Sequence, residues 1–340
     1  MKIGKVPENV LKRSVFRQIR NRCEGVDSGA GAGRDFCGFS LAEKERMVSC
    51  VQEAPIAIEE EEFCCQDRTE VFMTIRELIL KCVNNLAAGG AKPVAVLLVL
   101  MLPAHTEEAQ IRAIMGKAEE TCRELSMEIA GGQTRITGAV NWPLAVVTGF
   151  AKAPETECHI RKTAEPGQDI LLSKWIGLQG TAVTAKRNHQ KLLERYPSYL
   201  VEEAEGFGRY LSVLPEAEAA VRAGVSAMHD ASEGGILGAL WELAEAAGCG
   251  LEVDMRKLPL RQETVEVCEC CNVNPYELLS GGCLVMTAWD GNRLAAALAA
   301  EGIPAAVVGK VTEGNERILV NRDEIRYLDR PQRDEIYART

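Results

Sequence analysis

The sequence predicts two α/β domains, and three observations carry that expectation. The chain has 340 residues, about the length of two domains. Helix-period segments alternate with short apolar, strand-like segments through both halves. Between the halves, from Ala153 to Pro166, the chain turns polar and carries two prolines. The expected domains are therefore residues 1–155 and 156–340.

Composition bounds the class. Apolar residues make up 46% of the chain, enough for two cores without disulfides. The longest apolar run, Val94 to Leu102, is too short to span a bilayer, and MKIGKVPENV has no apolar signal core. A cytoplasmic protein without a membrane role is expected. The net charge of −10 argues against nucleic acid, and the basic cluster Lys12, Arg13, Arg17, Arg20 and Arg22 reads as a solvated helix face. The 13 cysteines are scattered and odd in number, which favours free thiols. The CECC run of Cys268, Cys270 and Cys271 lacks a second CxxC or a His pair, so it reads as packing rather than as a zinc site.

In the first half, Met47 to Glu53 reads as a strand. Ile75, Leu78, Ile79, Cys82, Val83 and Leu86 follow helical spacing, with Gly89-Gly90 as the stop. Val94 to Leu102 reads as a buried strand. A second helix is expected after Thr106 as N-cap, then a glycine turn at Gly131-Gly132 and a strand from Leu144 to Phe150. In the second half, strands are expected at Ile170–Ser173, Val225–Met228, Cys283–Ala288 and Ala305–Val311. Helices are expected through Ile236–Ala247 and Leu294–Ala300.

Six segments could carry chemistry. Ser28 to Asp35 reads SGAGAGRD, in which Gly29, Gly31 and Gly33 let backbone N–H groups approach a ligand and Asp35 could meet magnesium; a flexible linker reads as well. Asp67 precedes the helix of Ile75 and reads equally as a turn residue. Asn85 shares the inward stripe of Leu78 and Cys82, so its amide needs a backbone, metal or ligand partner. GGQTRITGAVNWP places Gly132, Thr134, Arg135 and Thr137 in a turn that could meet phosphate, or in a hairpin with an exposed Arg. In MHDASEGGI a strand runs into His229 and Asp230 and a glycine-flanked helix start, an anion-site geometry; a lone His at a strand end is as readily structural. Ser280-Gly281-Gly282 is a small-residue turn that allows close approach.

Taken in order, these segments resemble one superfamily, that of aminoimidazole-ribonucleotide synthetase, selenophosphate synthetase, thiamine-monophosphate kinase and the hydrogenase-maturation carbamoyl dehydratases. GAGRD resembles its Gly-rich loop, VNNLAAGGAKP its "NDLAxxGAxP" helix end, and GGQTRIT the "GGxT" turn of the hydrogenase-maturation branch. PGQDILLSKWIGLQGTAV, MHDASEGGI and LLSGG resemble the second domain's opening and glycine turns. The resemblance implies a PurM-like two-domain fold. Residues 1–155 would bind nucleotide and pair with a second copy into a dimeric β-barrel, and 156–340 would form an α/β sandwich. It implies ATP and magnesium as cofactors, with Asp35, Asp67 and Asn85 as metal donors. Gly31, Gly33, Gly132 and Thr134 would lie around the nucleotide. Arg135, His229 and Asp230 would stand near the reacting groups, and the substrate would be a small molecule in the cleft between the domains. A partner protein of a maturation complex also follows from that branch.

Two departures from the pattern stand out. Asn85 replaces the family's Asp, which removes a charge and should weaken magnesium binding. The chain ends Tyr337-Ala338-Arg339-Thr340 and its last cysteine, Cys283, falls in an expected strand. The maturation dehydratases act through a C-terminal cysteine, so thiocyanate formation is not expected. The leading reading is an ATP-dependent enzyme that activates a small molecule by phosphoryl transfer. The alternatives are a kinase resembling thiamine-monophosphate kinase and a non-catalytic nucleotide-binding assembly or regulatory protein.

Overall fold

The computed structural model describes residues 44–57, 71–154, 163–329 and 333–337, and the backbone of 26–28 and 37–40. Two mixed sheets organise these residues. The first has the order β1-β2-β3-β6-β4-β5, with β1 Val26–Ser28, β2 Cys37–Ser40, β3 Glu45–Pro55, β4 Lys92–Leu102, β5 Glu128–Ile136 and β6 Leu144–Pro154. All pairs are antiparallel except β4 with β5.

Helix α1, Ile75–Ala88, covers one face of this sheet. Thr74 caps it through a reciprocal box with Glu77, whose backbone N–H donates to Thr74 Oγ1 at 3.1 Å. Leu78, Ile79, Cys82 and Leu86 then meet Val48, Leu98, Leu100 and Val147 in the core. Helix α2, Glu108–Glu124, links β4 to its parallel neighbour β5. Its cap differs from the expectation at Thr106. Glu107 is the N-cap, and its backbone N–H donates to the Gln110 side chain at 2.9 Å.

The expected turn at Gly131-Gly132 is instead part of the edge strand β5. Local propensity reads Gly-Gly as a turn, but tertiary pairing decides here. Gly132 lies opposite Leu98 at φ 146°, and a Cβ at this position would overlap the Leu98 carbonyl. The opposite face of the sheet carries half-buried Met47, Leu97, Val99, Met101, Val146 and Phe150, with Val51 54% exposed.

The second sheet has the order β13-β12-β9-β11-β7-β10-β8. Its strands are β7 Asp169–Ser173, β8 Ala227–Ala231, β9 Gly250–Asp254, β10 Cys283–Ala288, β11 Ala305–Thr312, β12 Arg317–Asn321 and β13 Glu324–Tyr327. The smaller helices α3 Leu178–Arg187, α4 His189–Leu193, α5 Ser198–Glu205 and α8 Gln262–Cys271 pack beside it. Helix α7, Gly235–Ala247, packs on one face through Ile236, Leu240 and Ala244. Helices α6 Leu214–Ala223 and α9 Gly291–Ala300 cover the other, where Ala87 and Ala88 of α1 join the same cluster. The two halves therefore share one packed seam.

No helix among the described residues is long and apolar enough to cross a membrane. Cys268 and Cys271 are buried and Cys270 is half-buried; burial pushes the Cys268 thiol up to about 12 and Cys271 to about 11, which leaves them poor nucleophiles. Cys283, fully buried in β10, is likewise pushed up to about 12 by burial.

Candidate functional site at the seam

The seam opens into a small cleft beside the middle of α1. Glu77, Lys81 and Asn84 line it from α1; Gln179, Leu211, Asp230, Ser232 and Gly281 line it from the second half. Residues 77, 81 and 84 follow helical spacing, so one stripe of α1 presents two charges and an amide to the other half. Lys81 makes no ion pair among the described residues.

Asn84 joins the halves. Its Nδ2 donates to the Leu211 carbonyl at 2.8 Å, and the Val213 N–H donates to its Oδ1 at 2.9 Å. The same segment is held from the other side. Lys174, at the end of β7, donates through Nζ to the carbonyls of Tyr210 at 2.7 Å and Ser212 at 2.6 Å, and pairs with Glu216 at 2.5 Å. All three ammonium protons are thereby used. Substituting Asn84→Ala should strand the Leu211 carbonyl and the Val213 N–H in a buried place and lower stability by about 1–3 kcal/mol, read by chemical denaturation.

Two glycine turns lie behind the cleft, and Gly281 of one of them reaches its wall. Gly282 adopts φ 98°, and a Cβ there would stand 2.6 Å from the Tyr210 carbonyl, so the close approach requires glycine. Gly177 N–H donates to Ser280 Oγ at 2.9 Å, and Ser280 Oγ donates to the Leu278 carbonyl at 2.9 Å. Asp334 ties the two turns together. Its carboxylate accepts from the backbone N–H groups of Gly234 at 2.6 Å, Leu279 at 3.1 Å and Ile336 at 2.8 Å. Burial raises its pKa to about 7 against the pull of these donors.

The expected site residues divide. Asp230 lines the cleft and is 3% exposed. His229 does not join it. Both belong to β8, where successive side chains alternate, and His229 Nε2 lies 3.3 Å from Glu242 Oε2 of α7 on the opposite face of the sheet. Gly132, Thr134 and Arg135 lie on β5, at the far edge of the first sheet, and none lines this cleft. Asn85 is buried, as its inward stripe requires. Gly31, Gly33, Asp35 and Asp67 lie outside the described residues.

Of the three expected magnesium donors, Asn85 alone is therefore described, and its amide oxygen is a suitable hard donor. Among the described residues no three His, Cys, Asp or Glu side chains converge on a metal position. Sequence reasoning missed Lys81, Lys174 and Asp334, and it named Asn84 only beside Asn85 without a role. For Lys81 and Asn84 a signal existed, since both fall four or fewer residues from Asn85 on the same helix.

Comparison with known proteins identifies the family and the fold. Residues 75–153 match the family of AIR synthase related protein, N-terminal domain, and residues 165–321 match AIR synthase related protein, C-terminal domain. The chain belongs to this AIR synthase-related family. It is 30% identical over 235 residues to the carbamoyl dehydratase HypE of Rhodobacter capsulatus, an alignment that spans 67% of this chain and 66% of that protein. Its fold superposes on HypE in a crystal structure of the HypE–HypF complex with a TM-score of 0.72, at 18% identity, covering 94% of this chain and 99% of that one. It also superposes on hydrogenase maturation protein HypE in complex with ATP, with a TM-score of 0.70 at 17% identity, covering 98% and 97%. The fold is thus the PurM-like α/β architecture.

Proposed function

We propose that the protein binds ATP with magnesium and uses it to activate a small molecule whose reacting group meets the mouth of the seam cleft, a crevice of about 10 Å3 with room for a single water. The observation that carries this reading is the cleft itself. It places a cation, Lys81, and a carboxylate, Asp230, on opposite halves of a chain whose relative in Rhodobacter capsulatus is a carbamoyl dehydratase. Lys81 would meet the transferring phosphoryl group, and Asp230 would orient the oxygen that accepts it. Arg135 and Thr134, exposed on β5, would reach nucleotide only across a second copy of the chain.

The half-buried apolar face of Met47, Leu97, Val99, Met101, Val146 and Phe150 supports such a homodimer, because a second copy would cover it. Asp35, Asp67 and Asn85 would hold magnesium, which when bound would neutralise phosphate charge. The HypE–HypF complex suggests a maturation partner for this chain as well.

Calorimetry with ATP, with and without magnesium, tests the reading. Wild-type protein should bind in a magnesium-dependent way and Asp35→Ala should not. Asn85→Asp should tighten the magnesium-dependent component. Absence of any ATP binding would refute the reading. ADP release would then be followed with a carbamoylated peptide and with thiamine monophosphate. Asn85 in place of the family's Asp favours a second reading, a nucleotide-binding protein without turnover. Substrate-dependent ADP release removes it.

A further inference from the structure

At the end of α1, around Ala87 and the following Ala91, the seam opens again. At that end the two halves enclose a second cavity of about 540 Å3, within the size range of small-molecule sites. Its floor is apolar, with Ala87 and Ala91 from the first half and Leu214, Ala217 and Val221 from the second. Asn84 and the packing of Ala87 and Ala88 on Val213, Ala217 and Ala220 separate it from the cleft at Asp230.

Two exposed lysines stand on its rim, side by side. Lys92 on β4 and Lys152 on β6 are direct cross-strand partners, and like charges so placed repel. Neither makes an ion pair among the described residues. The third cation on the rim, Arg222, is already engaged by Glu301 at 2.5 Å. The acids Glu45 and Glu218 share the rim but pair with neither lysine. Two adjacent cations that form no ion pair among the described residues, beside an apolar hollow, offer donors to a negative group with a hydrocarbon body that can outcompete the more distant Glu45 and Glu218.

We infer that this cavity binds an organic anion, its carboxylate or phosphate held between Lys92 and Lys152 and its apolar body set against Leu214, Ala217 and Val221. Such a ligand would touch both halves and bias how they sit on one another, at a place the cleft chemistry does not use. This inference is independent of the nucleotide reading.

The probe is 8-anilinonaphthalene-1-sulfonate, titrated into the full chain by fluorescence, with hexanoate, hexyl phosphate, hexanol and hexylamine as competitors. One saturable site is expected. Lys92→Glu with Lys152→Glu should weaken it by about tenfold or more, whereas the remote exposed Lys257→Glu should not. Hexanoate or hexyl phosphate should displace the probe better than hexanol or hexylamine, and the ranking of the first two identifies the head group. ATP binding of the double variant should match wild type. Probe binding that is indifferent to the double variant, or lost equally in Lys257→Glu, overturns the inference. Displacement by hexanol as readily as by hexanoate does so too, and loss of ATP binding in the double variant would merge the cavity with the nucleotide site.

Discussion

Lys174→Met should be among the most damaging single substitutions in the second half, lowering stability by about 3–5 kcal/mol. Lys174 and Glu216 are 8% and 3% exposed, so removing the ammonium leaves a carboxylate in the seam without its counter-charge. The carbonyls of Tyr210 and Ser212 lose their donor at the same time. The companion experiment separates charge from packing. Replacing both partners, Lys174→Met with Glu216→Leu, should recover much of the loss, because a buried pair exchanged for apolar groups of similar volume is often neutral. Urea denaturation of the two variants checks this. If the double variant is as unstable as the single one, the carbonyl contacts rather than the charge carry the effect.

Asp334→Ala should cost about 3 kcal/mol, since it removes the acceptor of three backbone N–H groups that converge on one buried carboxylate. The pH dependence is more specific. Burial raises the folded-state pKa from 3.8 to about 7, so the folded protein holds a proton that the unfolded chain has already released. The stability Asp334 contributes is therefore full below about pH 4 and is lost as the pH rises toward 7. The slope is at most about 1.4 kcal/mol per pH unit. Glu233 lies close enough to reinforce the shift, and Glu277, itself raised by burial and by Glu335, stands in the same acidic corner. Asp334→Asn cannot titrate, so the stability gap between wild type and this variant should narrow from pH 5 to pH 7.5. Protection factors against hydrogen exchange at Gly234, Leu279 and Ile336, with the intrinsic pH dependence divided out, should fall over the same range in wild type alone. A gap that stays constant with pH would place the Asp334 pKa near its ordinary value.

The elements that sequence periodicity made visible are those whose partners lie close along the chain or whose apolar pattern is unbroken. Helix α1 shows its cap, its buried stripe and its glycine stop in the letters alone, and Val94 to Leu102 lies within β4. β5 was illegible because its Gly-Gly is chosen for the Leu98 carbonyl opposite it, a contact from another strand. The separation of His229 from Asp230 was in principle readable, since two consecutive strand residues point to opposite faces. Reading that strand as ending at Met228, before both of them, concealed it. Lys174, Glu216 and Asp334 could not have been found, because each takes its meaning from groups brought together only by the fold. Lys174 acts on residues 210–216, and Asp334 on two turns far earlier in the chain.

The strand order of the second sheet also sets a timetable for synthesis. β7 is the first of its strands to leave the ribosome, yet both of its neighbours, β10 and β11, are made much later. Ile170, Leu171 and Leu172 are fully buried in the finished protein, and until Cys283–Ala288 has been translated they have no strand to pair with. The nascent chain must carry that apolar strand unpaired while more than half of the domain is still being assembled, a long exposure to off-pathway association. The sheet around its first-made strand therefore cannot be completed until β10 and β11 have been made.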